Sequence, residues 1–370
     1  MTKIVCHISS AHPTEDVRIF HKECTSLAKE GYSVHLVVQS DRDYESNGVK
    51  IHALKFTENG RKFRMTTGVR LALAEALRVK ANVYHLHDPE LLRIASKLRK
   101  TGAHVIFDAH EDTVKQLLSK PYLNRITRIA ASTIYGVLEA VYLRNVTGVI
   151  AATDAIKTKF LKLGLKAESV SNYPMLHEFS EPDENIVKEK NAVCYAGSIS
   201  MIRGTKEIVT LARLLPEIHF HLAGPISDAQ SQQLLDEANS FKNFSYHGLL
   251  TRKEVVNLYA KCQLGLLPFH KVPNHLESVP NKLYEYMAAQ LPVVAMDIEL
   301  WRTVLETNKA GTLVDYLDTE KCAKTIAQLL ANPEKMTKMG GNGRNQVLTT
   351  YNWHSESEKL MKFYREITGE

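Results

Sequence analysis

Cysteine is scarce in this chain, and its distribution excludes several classes of protein. The 370 residues contain five cysteines, Cys6, Cys24, Cys194, Cys262 and Cys322, with no CxxC pair among them. Small secreted folds and structural zinc sites need closely spaced, paired cysteines. We therefore expect reduced thiols in a cytosolic protein, without a disulfide framework.

Long apolar runs are also missing. The sequence passes from Met1 directly into a strand-like segment, so we expect no signal peptide. The most apolar stretch, residues 129–143, contains Glu139 and is shorter than the roughly 18 residues that cross a bilayer. We therefore expect no membrane span. With 44% apolar and 24% charged residues, the composition excludes disordered and coiled-coil proteins.

Charge is unevenly distributed between the two halves. Residues 1–172 hold 26 Lys and Arg against 17 Asp and Glu, a balance of +9. Residues 173–370 hold 21 against 24, a balance of −3. The basic residues are not interleaved with aromatic side chains, so we expect no nucleic-acid partner. An anionic small molecule or an anionic membrane surface fits the first half better.

Short apolar runs alternate with amphipathic stretches along the whole chain. Strands are predicted at residues 3–8, 33–38, 83–86, 105–108 and 149–152, and again at 192–195, 219–223, 244–247, 264–268 and 292–296. Helices are predicted at 18–30, 68–80 and 89–99. This alternation is typical of an α/β protein with parallel sheets.

A break in this rhythm predicts two domains. The segment 171–182 is rich in proline and separates a first Rossmann-like domain, residues 1–172, from a second, residues 173–352. A last helix at about 353–370 is expected to pack back on the first domain. Ligands bind at the carboxyl ends of the strands in such sheets. A dehydrogenase is disfavoured because no GxGxxG follows either first strand.

Two glutamates eight residues apart mark a candidate site in the second domain. Glu277 lies in a predicted loop, a helix is predicted to start at about Pro280 and Asn281, and Glu285 lies one turn inside it. A helix start suits a phosphate, and a carboxylate one turn deeper can accept two ribose hydroxyls. The spacing alone also fits two surface glutamates beside an amphipathic helix.

Several ordered motifs together carry a more specific resemblance. They are SSAHPTEDVRIFHKE (residues 9–23), HLHDPELL (85–92), FDAHED (107–112), YAGSISMIRGTKEI (195–208), HLAGP (221–225), ESVPNKLYEYMAAQLPVVA (277–295) and YNW (351–353). With them the chain resembles the retaining, nucleotide-sugar-dependent glycosyltransferases of family 4, the E-x7-E group with the GT-B fold. The most similar members are those of bacterial capsule, exopolysaccharide and cell-wall polysaccharide assembly.

The resemblance implies roles at the donor side. Glu285 would hold the ribose of a UDP- or GDP-linked sugar, and Glu277 would contact the transferred sugar as a catalytic residue. Arg203 would neutralise the diphosphate. Ser198 stands where the family carries a second basic residue, so Lys206 or Lys282 would compensate.

The backbone near the donor also departs from the family pattern. Pro280 has no N–H, so the amides offered to phosphate would be those of Val279, Asn281 or Lys282. Leu250 matches the loop that meets the base and equally suits a core position. The loop at 9–20 lacks the family's Gly-Gly pair, which weakens a phosphate role there.

Other implied roles lie in the first domain. His110 would face the donor as the second catalytic residue. Glu111 and Asp112 are candidates for orienting it or for contacting the acceptor. Asp16 and Arg18 either shape the acceptor pocket or form a salt bridge at a helix start.

Metals and cofactors are not expected. His85 and His87 share one face of a strand, but no third ligand has a convincing spacing. The resemblance likewise implies side chains and helix dipoles in place of a cation.

Residues 115–144 admit two interpretations. They form either a buried helix of the first domain or an interfacial helix that docks on anionic lipid. The second fits a cytoplasmic enzyme at the inner face of the plasma membrane.

The function that we expect is retaining transfer of a sugar to a hydroxyl of a glycan or lipid-linked glycan in surface polysaccharide synthesis. The alternatives are a nucleotide-sugar 2-epimerase-like enzyme and a non-catalytic nucleotide-sugar-binding module.

Overall fold

The computed structural model describes residues 3–55, 60, 63–118, 124–179 and 185–369. It divides into two compact units. Unit 1 comprises Met1–Asn172 and His354–Glu370, and unit 2 comprises Tyr173–Trp353. Each unit is built on its own parallel sheet with helices around it, so the predicted α/β class is confirmed.

The sheet of unit 1 has eight strands in the order β3-β4-β2-β1-β5-β6-β7-β8. Their bounds are β1 Ile4–Ile8, β2 Ser33–Gln39, β3 Tyr44–Ser46, β4 Val49–Leu54, β5 Val83–Leu86, β6 His104–Ala109, β7 Gly148–Ala151 and β8 Ala167–Ser169. All pairs are parallel except β3 with β4. Asn47 and Gly48 join β3 to β4 with φ of 52° and 75°, the geometry that an Asn-Gly turn supplies.

The sheet of unit 2 has six parallel strands in the order β11-β10-β9-β12-β13-β14. Their bounds are β9 Ala192–Ala196, β10 His219–Ala223, β11 Phe244–Tyr246, β12 Leu264–Leu267, β13 Val293–Met296 and β14 Gly311–Val314. The ten predicted strands are therefore all present, and the sequence missed β3, β4, β8 and β14. Of the missed strands, β3, β8 and β14 are short and mostly half-exposed, and in the longer β4 the apolar run is interrupted by Lys50 and His52.

Helices surround both sheets. In unit 1 they are α1 Thr25–Lys29, α2 Val69–Val79, α3 Ala95–Arg99, α4 Thr113–Leu118, α5 Arg125–Leu143 and α6 Asp154–Lys162, with π-helical turns at Val17–Cys24 and Arg64–Gly68 and a 3-10 segment at Pro89–Ile94. In unit 2 they are α7 Thr205–Leu214, α8 Ala229–Ala238, α9 Arg252–Lys261, α10 Pro273–Leu276, α11 Asn281–Ala288, α12 Glu299–Leu305, α13 Thr319–Leu330 and α14 Pro333–Thr349, with 3-10 segments at Leu176–Phe179 and Met201–Arg203. The last helix is α15, Trp353–Thr368.

Helix α15 packs on the sheet of unit 1 through a glycine. A Cβ atom at Gly148, the first residue of β7, would lie 2.6 Å from Cζ of Phe363 and 2.8 Å from Cδ1 of Ile367. Both side chains are buried. Gly148 therefore sets how closely the last helix approaches the sheet.

We predict that Gly148→Ala lowers the free energy of unfolding by about 1–3 kcal/mol, because the new methyl group overpacks this contact. Urea denaturation followed by circular dichroism measures the change. Gly136→Ala is the matched control in the same unit, since its Cβ would meet Val114 at an ordinary 3.8 Å. Because Gly136 is an interior helix position, where alanine is favoured over glycine, Gly136→Ala should raise the free energy of unfolding by about 0.5–1 kcal/mol. Equal effects at the two glycines would contradict the packing account.

Candidate active site

A buried ion pair organises the polar residues at the carboxyl ends of β1, β5 and β6. Asp108 and Arg18 are both buried, and the Arg18 guanidinium donates from Nε to Oδ2 at 2.9 Å and from Nη2 to Oδ1 at 2.8 Å. Burial alone would raise the pKa of Asp108, but Arg18 and His110 hold it well below its usual range. Asp108 is therefore an ionised carboxylate inside the domain.

Glu23 lies in the same cluster in the opposite protonation state. Its carboxyl group is fully buried, with Oε1 3.1 Å from Nε of Arg18. Burial, reinforced by the charge of Asp108, raises the pKa of Glu23 well above its ordinary value. The shift favours the neutral form of Glu23, which leaves Arg18 to balance the charge of Asp108.

Three neutral histidines extend from Asp108 to the last helix. Nδ1 of His87 lies 3.2 Å from Oδ2 of Asp108, and Nε2 of His87 lies 2.8 Å from Nδ1 of His7. Nδ1 of His85 lies 2.7 Å from the hydroxyl of Tyr364. Burial lowers the pKa of all three histidines. Because an ionised carboxylate only accepts, His87 donates from Nδ1 and accepts from His7 at Nε2.

His110 is the member of this network that meets solvent. Its Nε2 lies 2.9 Å from Oδ2 of Asp108, and 23% of its side chain is exposed. Since Asp108 accepts the Nε2 proton, neutral His110 presents Nδ1 as an acceptor nitrogen. A fixed, half-exposed imidazole of this kind can bind a hydroxyl group or take its proton.

A second histidine beside His110 is oriented by another carboxylate. Nδ1 of His12 lies 3.2 Å from Oδ1 of Asp88, and the rings of His12 and His110 are 5.0 Å apart. Asp88 also accepts from the backbone N–H of Ser10 at 2.6 Å and from the Ser9 hydroxyl at 2.9 Å. Burial alone would raise the pKa of Asp88, but these bonds, His12 foremost, hold it at about 2. Asp88 in turn raises the pKa of His12, against the effect of burial.

Both histidines open onto one cavity of about 690 Å³ in unit 1. Its polar lining residues include His12, Asp88, Glu90, Asp108, His110 and Glu111, and its apolar and aromatic lining residues include Met65, Phe107, Leu117, Tyr135, Leu138 and Tyr142. Arg64 and Arg93 line it too. The cavity thus combines hydroxyl-binding groups with a large apolar lining, as an amphipathic ligand requires.

Helix α5 supplies part of the apolar lining and also an exposed apolar surface, so the interpretation of residues 115–144 as a buried helix is wrong for residues 125–143; residues 119–123 lie outside the described part of the chain. The exposed side chains are Ile126 (81%), Ile129 (51%), Ile134 (62%), Val137 (61%), Leu138 (43%) and Val141 (45%). The expectation that no segment has the length of a membrane span is also wrong, because α5 has 19 residues and a sufficiently apolar composition. One such helix is weak evidence for a span. Glu139 is buried and pairs with Lys159 at 2.8 Å, so one side of α5 is packed on the domain.

In unit 2, two cations lie close together without an acidic partner. Nζ of Lys282 lies 3.1 Å from the hydroxyl of Tyr195 and 4.9 Å from the ring centre of Phe269, and the Arg203 guanidinium lies 5.6 Å from the same ring. The ion pairs of the described residues include neither cation. Burial, followed by the charge of Arg203, lowers the pKa of Lys282 to about 7. An anion between them would relieve this repulsion.

The backbone beside Lys282 is open because a glycine follows β9. Gly197 has φ of 139°, and a Cβ there would lie 2.5 Å from Nζ of Lys282. Helix α11 starts at Asn281, as predicted, and no side chain caps its first turn. The N–H groups of a first helical turn bind phosphate well.

Glu285 already has partners on both of its oxygens. Oε1 accepts from Nη1 of Arg252 at 2.7 Å, and Oε2 accepts from the hydroxyl of Tyr259 at 3.1 Å. Arg252 also donates to Glu178. Sequence reasoning missed Arg252 and Tyr259, since no local signal connects residues 26 and 33 positions away with Glu285.

The other residues predicted for the donor lie around α11. Glu277 is exposed at the end of α10, Val279 is half-buried and Asn281 is exposed. Leu250 is half-buried against the core of unit 2, and Lys206 is exposed on α7. A donor role for each stays a prediction.

The predicted acceptor residues divide into two pairs. Asp16 accepts from the backbone N–H of Arg18 at 2.8 Å and caps a helix, and Arg18 is buried against Asp108, so neither lines the cavity. Glu111 is exposed and lines the cavity, whereas Asp112 pairs with Lys159 at 2.9 Å. Of the two roles predicted for Arg18, shaping the acceptor pocket or forming a salt bridge, the structure shows the salt bridge.

Among the residues that the structure describes, three groups of histidines and acids come close enough to share an ion. They are His7, Glu23, His85 and His87; His87, Asp108 and His110; and Glu189, His219 and His221. The argument that His85 and His87 lack a third ligand is therefore wrong, since His7 and Glu23 come from distant parts of the chain. Arg18 next to Glu23 and Asp108 opposes a cation in the two groups of unit 1.

Comparisons with known proteins agree with both units. Residues 177–346 match the family model of glycosyl transferases group 1, and residues 17–173 match that of the glycosyl transferase 4-like domain. Each of the two units therefore matches a glycosyltransferase family model.

Similar curated proteins are enzymes of several kinds. The alpha-galactosylglucosyldiacylglycerol synthase of Streptococcus pneumoniae is 26% identical over 40% of this chain and 39% of its own. The poly(ribitol-phosphate) alpha-N-acetylglucosaminyltransferase of Staphylococcus aureus is 23% identical over 60% of this chain and 44% of its own. The chain thus spans about two-fifths of the length of these relatives.

Solved structures agree on the GT-B fold. Sucrose-phosphate synthase from Thermosynechococcus elongatus aligns over 100% of both chains with a TM-score of 0.79 and 17% identity. Anabaena HepE in complex with UDP-glucose aligns over 98% of this chain and 100% of its own, with a TM-score of 0.73 and 12% identity.

We predict that Asp88 makes stability pH-dependent in acid. Its folded pKa of about 2 lies below the ordinary 3.8, so the stabilisation is present above pH 4 and is lost as the pH falls toward 2. The shift corresponds to about 2 kcal/mol at neutral pH. Urea denaturation between pH 6 and 3 measures the difference in the free energy of unfolding between wild type and Asp88→Asn. This difference should become smaller as the pH falls. Asp41→Asn, at an exposed position, is the control. A difference between wild type and Asp88→Asn that stays constant with pH would contradict the lowered pKa of Asp88.

Proposed function

We propose that the protein transfers a sugar from a nucleoside-diphosphate donor to a hydroxyl of a glycan or lipid-linked glycan, with retention of anomeric configuration, in surface polysaccharide synthesis. The observation that carries the proposal is the pair of adjacent cations in unit 2, Arg203 and Lys282, which form no ion pair with any carboxylate of the described residues. Two adjacent positive groups, beside the uncapped start of α11, form a site for a diphosphate.

The donor is held by charge and by hydrogen bonds. Arg203 and Lys282 neutralise the diphosphate, and Glu285 binds the ribose through lone pairs that Arg252 and Tyr259 leave available. Arg252 fixes the Glu285 carboxylate in place. A UDP- or GDP-linked sugar satisfies these groups, and the UDP-glucose complex of HepE supports the first.

The acceptor occupies the cavity of unit 1. Its sugar hydroxyls meet His110, His12 and Glu111, while a lipid or other apolar portion lies against Phe107, Leu138 and their neighbours. The carboxylates Asp108 and Asp88 hold the two imidazoles in fixed tautomers, so the acceptor oxygen meets a preorganised acceptor nitrogen on His110.

The reaction proceeds without a metal ion or other cofactor. The charge that develops on the leaving diphosphate is met by Arg203, Lys282 and the amides at the start of α11. The bond between the anomeric carbon and the phosphate oxygen breaks as the bond to the acceptor oxygen forms on the same face. The acceptor proton passes to the leaving phosphate oxygen. Glu277 in unit 2 and His110 in unit 1 are the residues to which we assign catalytic roles.

The protein works in the cytoplasm at the inner face of the membrane. The exposed apolar face of α5 is flanked by Arg125 and Arg144, and residues 1–172 carry a net charge of +9. Apolar insertion and attraction to anionic headgroups therefore act at the same helix, next to the cavity that takes the acceptor.

We predict that Glu285→Ala weakens binding of the nucleoside diphosphate about tenfold to a hundredfold, since a charge-assisted hydrogen bond contributes about 1.5–3 kcal/mol. Calorimetric titration with UDP, GDP and ADP identifies the nucleotide and measures the loss. His110→Ala should keep wild-type nucleotide affinity and lose turnover.

The matched control is Glu237→Ala, an exposed glutamate paired with Arg213 in the same unit. Thermal melting of each variant confirms folding. Wild-type nucleotide affinity in folded Glu285→Ala protein would remove this residue from the donor site, and no binding of any of the three nucleotides would contradict the donor proposal.

We predict that the protein sediments with vesicles containing phosphatidylglycerol at low salt and is released at high salt, because each basic residue contributes about 1 kcal/mol near an anionic surface. Replacing Ile134 and Val137 by serine should abolish sedimentation. Leu317→Ser, a change of an exposed apolar residue in unit 2, should not. Equal sedimentation of all three proteins would contradict docking through α5.

A further inference from the structure

A polar cluster in unit 2 has no role in the proposed reaction. Glu189 precedes β9, and His219 and His221 lie on β10, where they share one face. Oε1 of Glu189 lies 3.3 Å from Nδ1 of His219, and Oε2 lies 3.1 Å from Nε2 of His221. These residues lie in or before the amino-terminal halves of their strands, whereas Gly197 and Lys282 mark the carboxyl-terminal side. The cluster is thus separate from the donor site.

The other ring nitrogen of each histidine is held by a second residue. Nε2 of His219 lies 2.8 Å from the hydroxyl of Ser245, and Nδ1 of His221 lies 3.0 Å from Nε2 of His247. Outer hydrogen bonds of this kind orient imidazoles that bind metals, because they fix which nitrogen faces inward. Burial, followed by the charges of His219 and Lys261, lowers the pKa of His221 to about 4, so its imidazole is neutral at pH 7.

A cation is already attracted to this carboxylate. Nζ of Lys261 lies 3.0 Å from Oε2 of Glu189, and the lysine side chain is 42% exposed. An ammonium group cannot accept the imidazole lone pairs, whereas a divalent transition metal bonds to nitrogen and oxygen together. The lysine can move into solvent and leave the carboxylate to such an ion.

We propose that Glu189, His219 and His221 form a binding site for a divalent transition metal ion of the zinc class. Two imidazole nitrogens and one carboxylate leave a fourth, solvent-facing position for water, a set that suits Zn²⁺. The site is open, since His219 is 28% and Glu189 29% exposed.

Binding requires one ring to turn. The imidazoles of His219 and His221 are stacked, with ring centres 4.3 Å apart and planes at 9°. His219 is the more exposed of the two, and a small turn about its Cβ–Cγ bond aims Nδ1 at the ion while Nε2 keeps its bond to Ser245.

The ion stabilises the segment that leads into β9. The backbone N–H of Glu189 donates to the carbonyl of Lys261, and the N–H of His219 donates to the carbonyl of Asn191. A metal bond from Glu189 to β10 adds a cross-link to this segment. Stabilisation follows from mass action, since the ion binds the folded state.

The test is calorimetric titration of chelator-treated full-length protein with ZnCl₂ at pH 7. We expect one site per chain in wild type, weakened at least tenfold in His219→Ala and in Glu189→Gln. Lys261→Ala should bind Zn²⁺ more tightly than wild type, because the competing ammonium is gone. A merely structural cluster would not respond to the lysine in this direction.

The matched control is His52→Ala. His35 and His52 form another stacked pair, half-buried, with ring centres 5.0 Å apart, and no acidic side chain pairs with them among the described residues. His52→Ala should leave the Zn²⁺ site unchanged. The proposal is overturned if wild type binds no Zn²⁺, if all variants bind it equally, or if Lys261→Ala weakens binding. None of these three outcomes bears on the proposed glycosyl transfer, which uses the other end of the sheet.

Discussion

The bidentate pair of Arg18 with Asp108 is the interaction on which the chemistry of unit 1 depends. It keeps one carboxylate ionised inside the domain, at the cost of burying an arginine that lies 90 residues away in sequence. That carboxylate fixes the tautomers of His87 and His110, and through His87 it fixes His7. Without Arg18, the buried carboxyl groups of Glu23 and Asp108 would lie next to each other with no positive charge between them. They would then share a proton in the state of lower energy, and Asp108 would no longer orient His110. One ion pair thus sets the hydrogen-bonding role of the imidazole at the cavity.

Unit 2 shows the opposite arrangement of charge. Lys282 and Arg203 lie near each other over Phe269 with no described carboxylate paired to either, and burial, followed by the charge of Arg203, lowers the pKa of Lys282. In unit 1 the buried charges around Asp108 pair with one another and the cavity presents imidazoles, whereas unit 2 leaves two cations without a described carboxylate. This difference supports the proposal of a polyanionic donor on unit 2 and a hydroxyl-bearing acceptor on unit 1.

The sequence predicted those parts of the fold whose signal is local. Buried parallel strands such as β1, β5 and β12 are continuous apolar runs, and the start of α11 follows from Pro280. The β3–β4 hairpin was missed although Asn47-Gly48 signals its turn, because its strands alternate weakly.

The residues of the candidate site divide in the same way. Glu285 and Arg203 are recognisable within motifs, but their partners Arg252 and Phe269 are brought close by the fold alone. His7 and Glu23 likewise lie close to His85 and His87 only because the fold brings distant parts of the chain together. Exposure of α5 could not be read from its composition, since an apolar helix with one acid suits a core as well as a surface, and the buried pair of Glu139 with Lys159 decides which side faces inward.

The central claim is that positive charge in unit 2 drives sugar transfer to an acceptor bound in unit 1. The most direct measurement is transfer of label from radioactive UDP-glucose, UDP-N-acetylglucosamine and GDP-mannose to a bacterial membrane lipid extract, with proton NMR of the product to assign the new linkage. The account predicts that wild type forms a solvent-extractable glycoside with the donor's anomeric configuration, and that Lys282→Ala and Arg203→Ala do not. Donor consumption that yields only free sugar, inverted product, or full activity in both variants would contradict it.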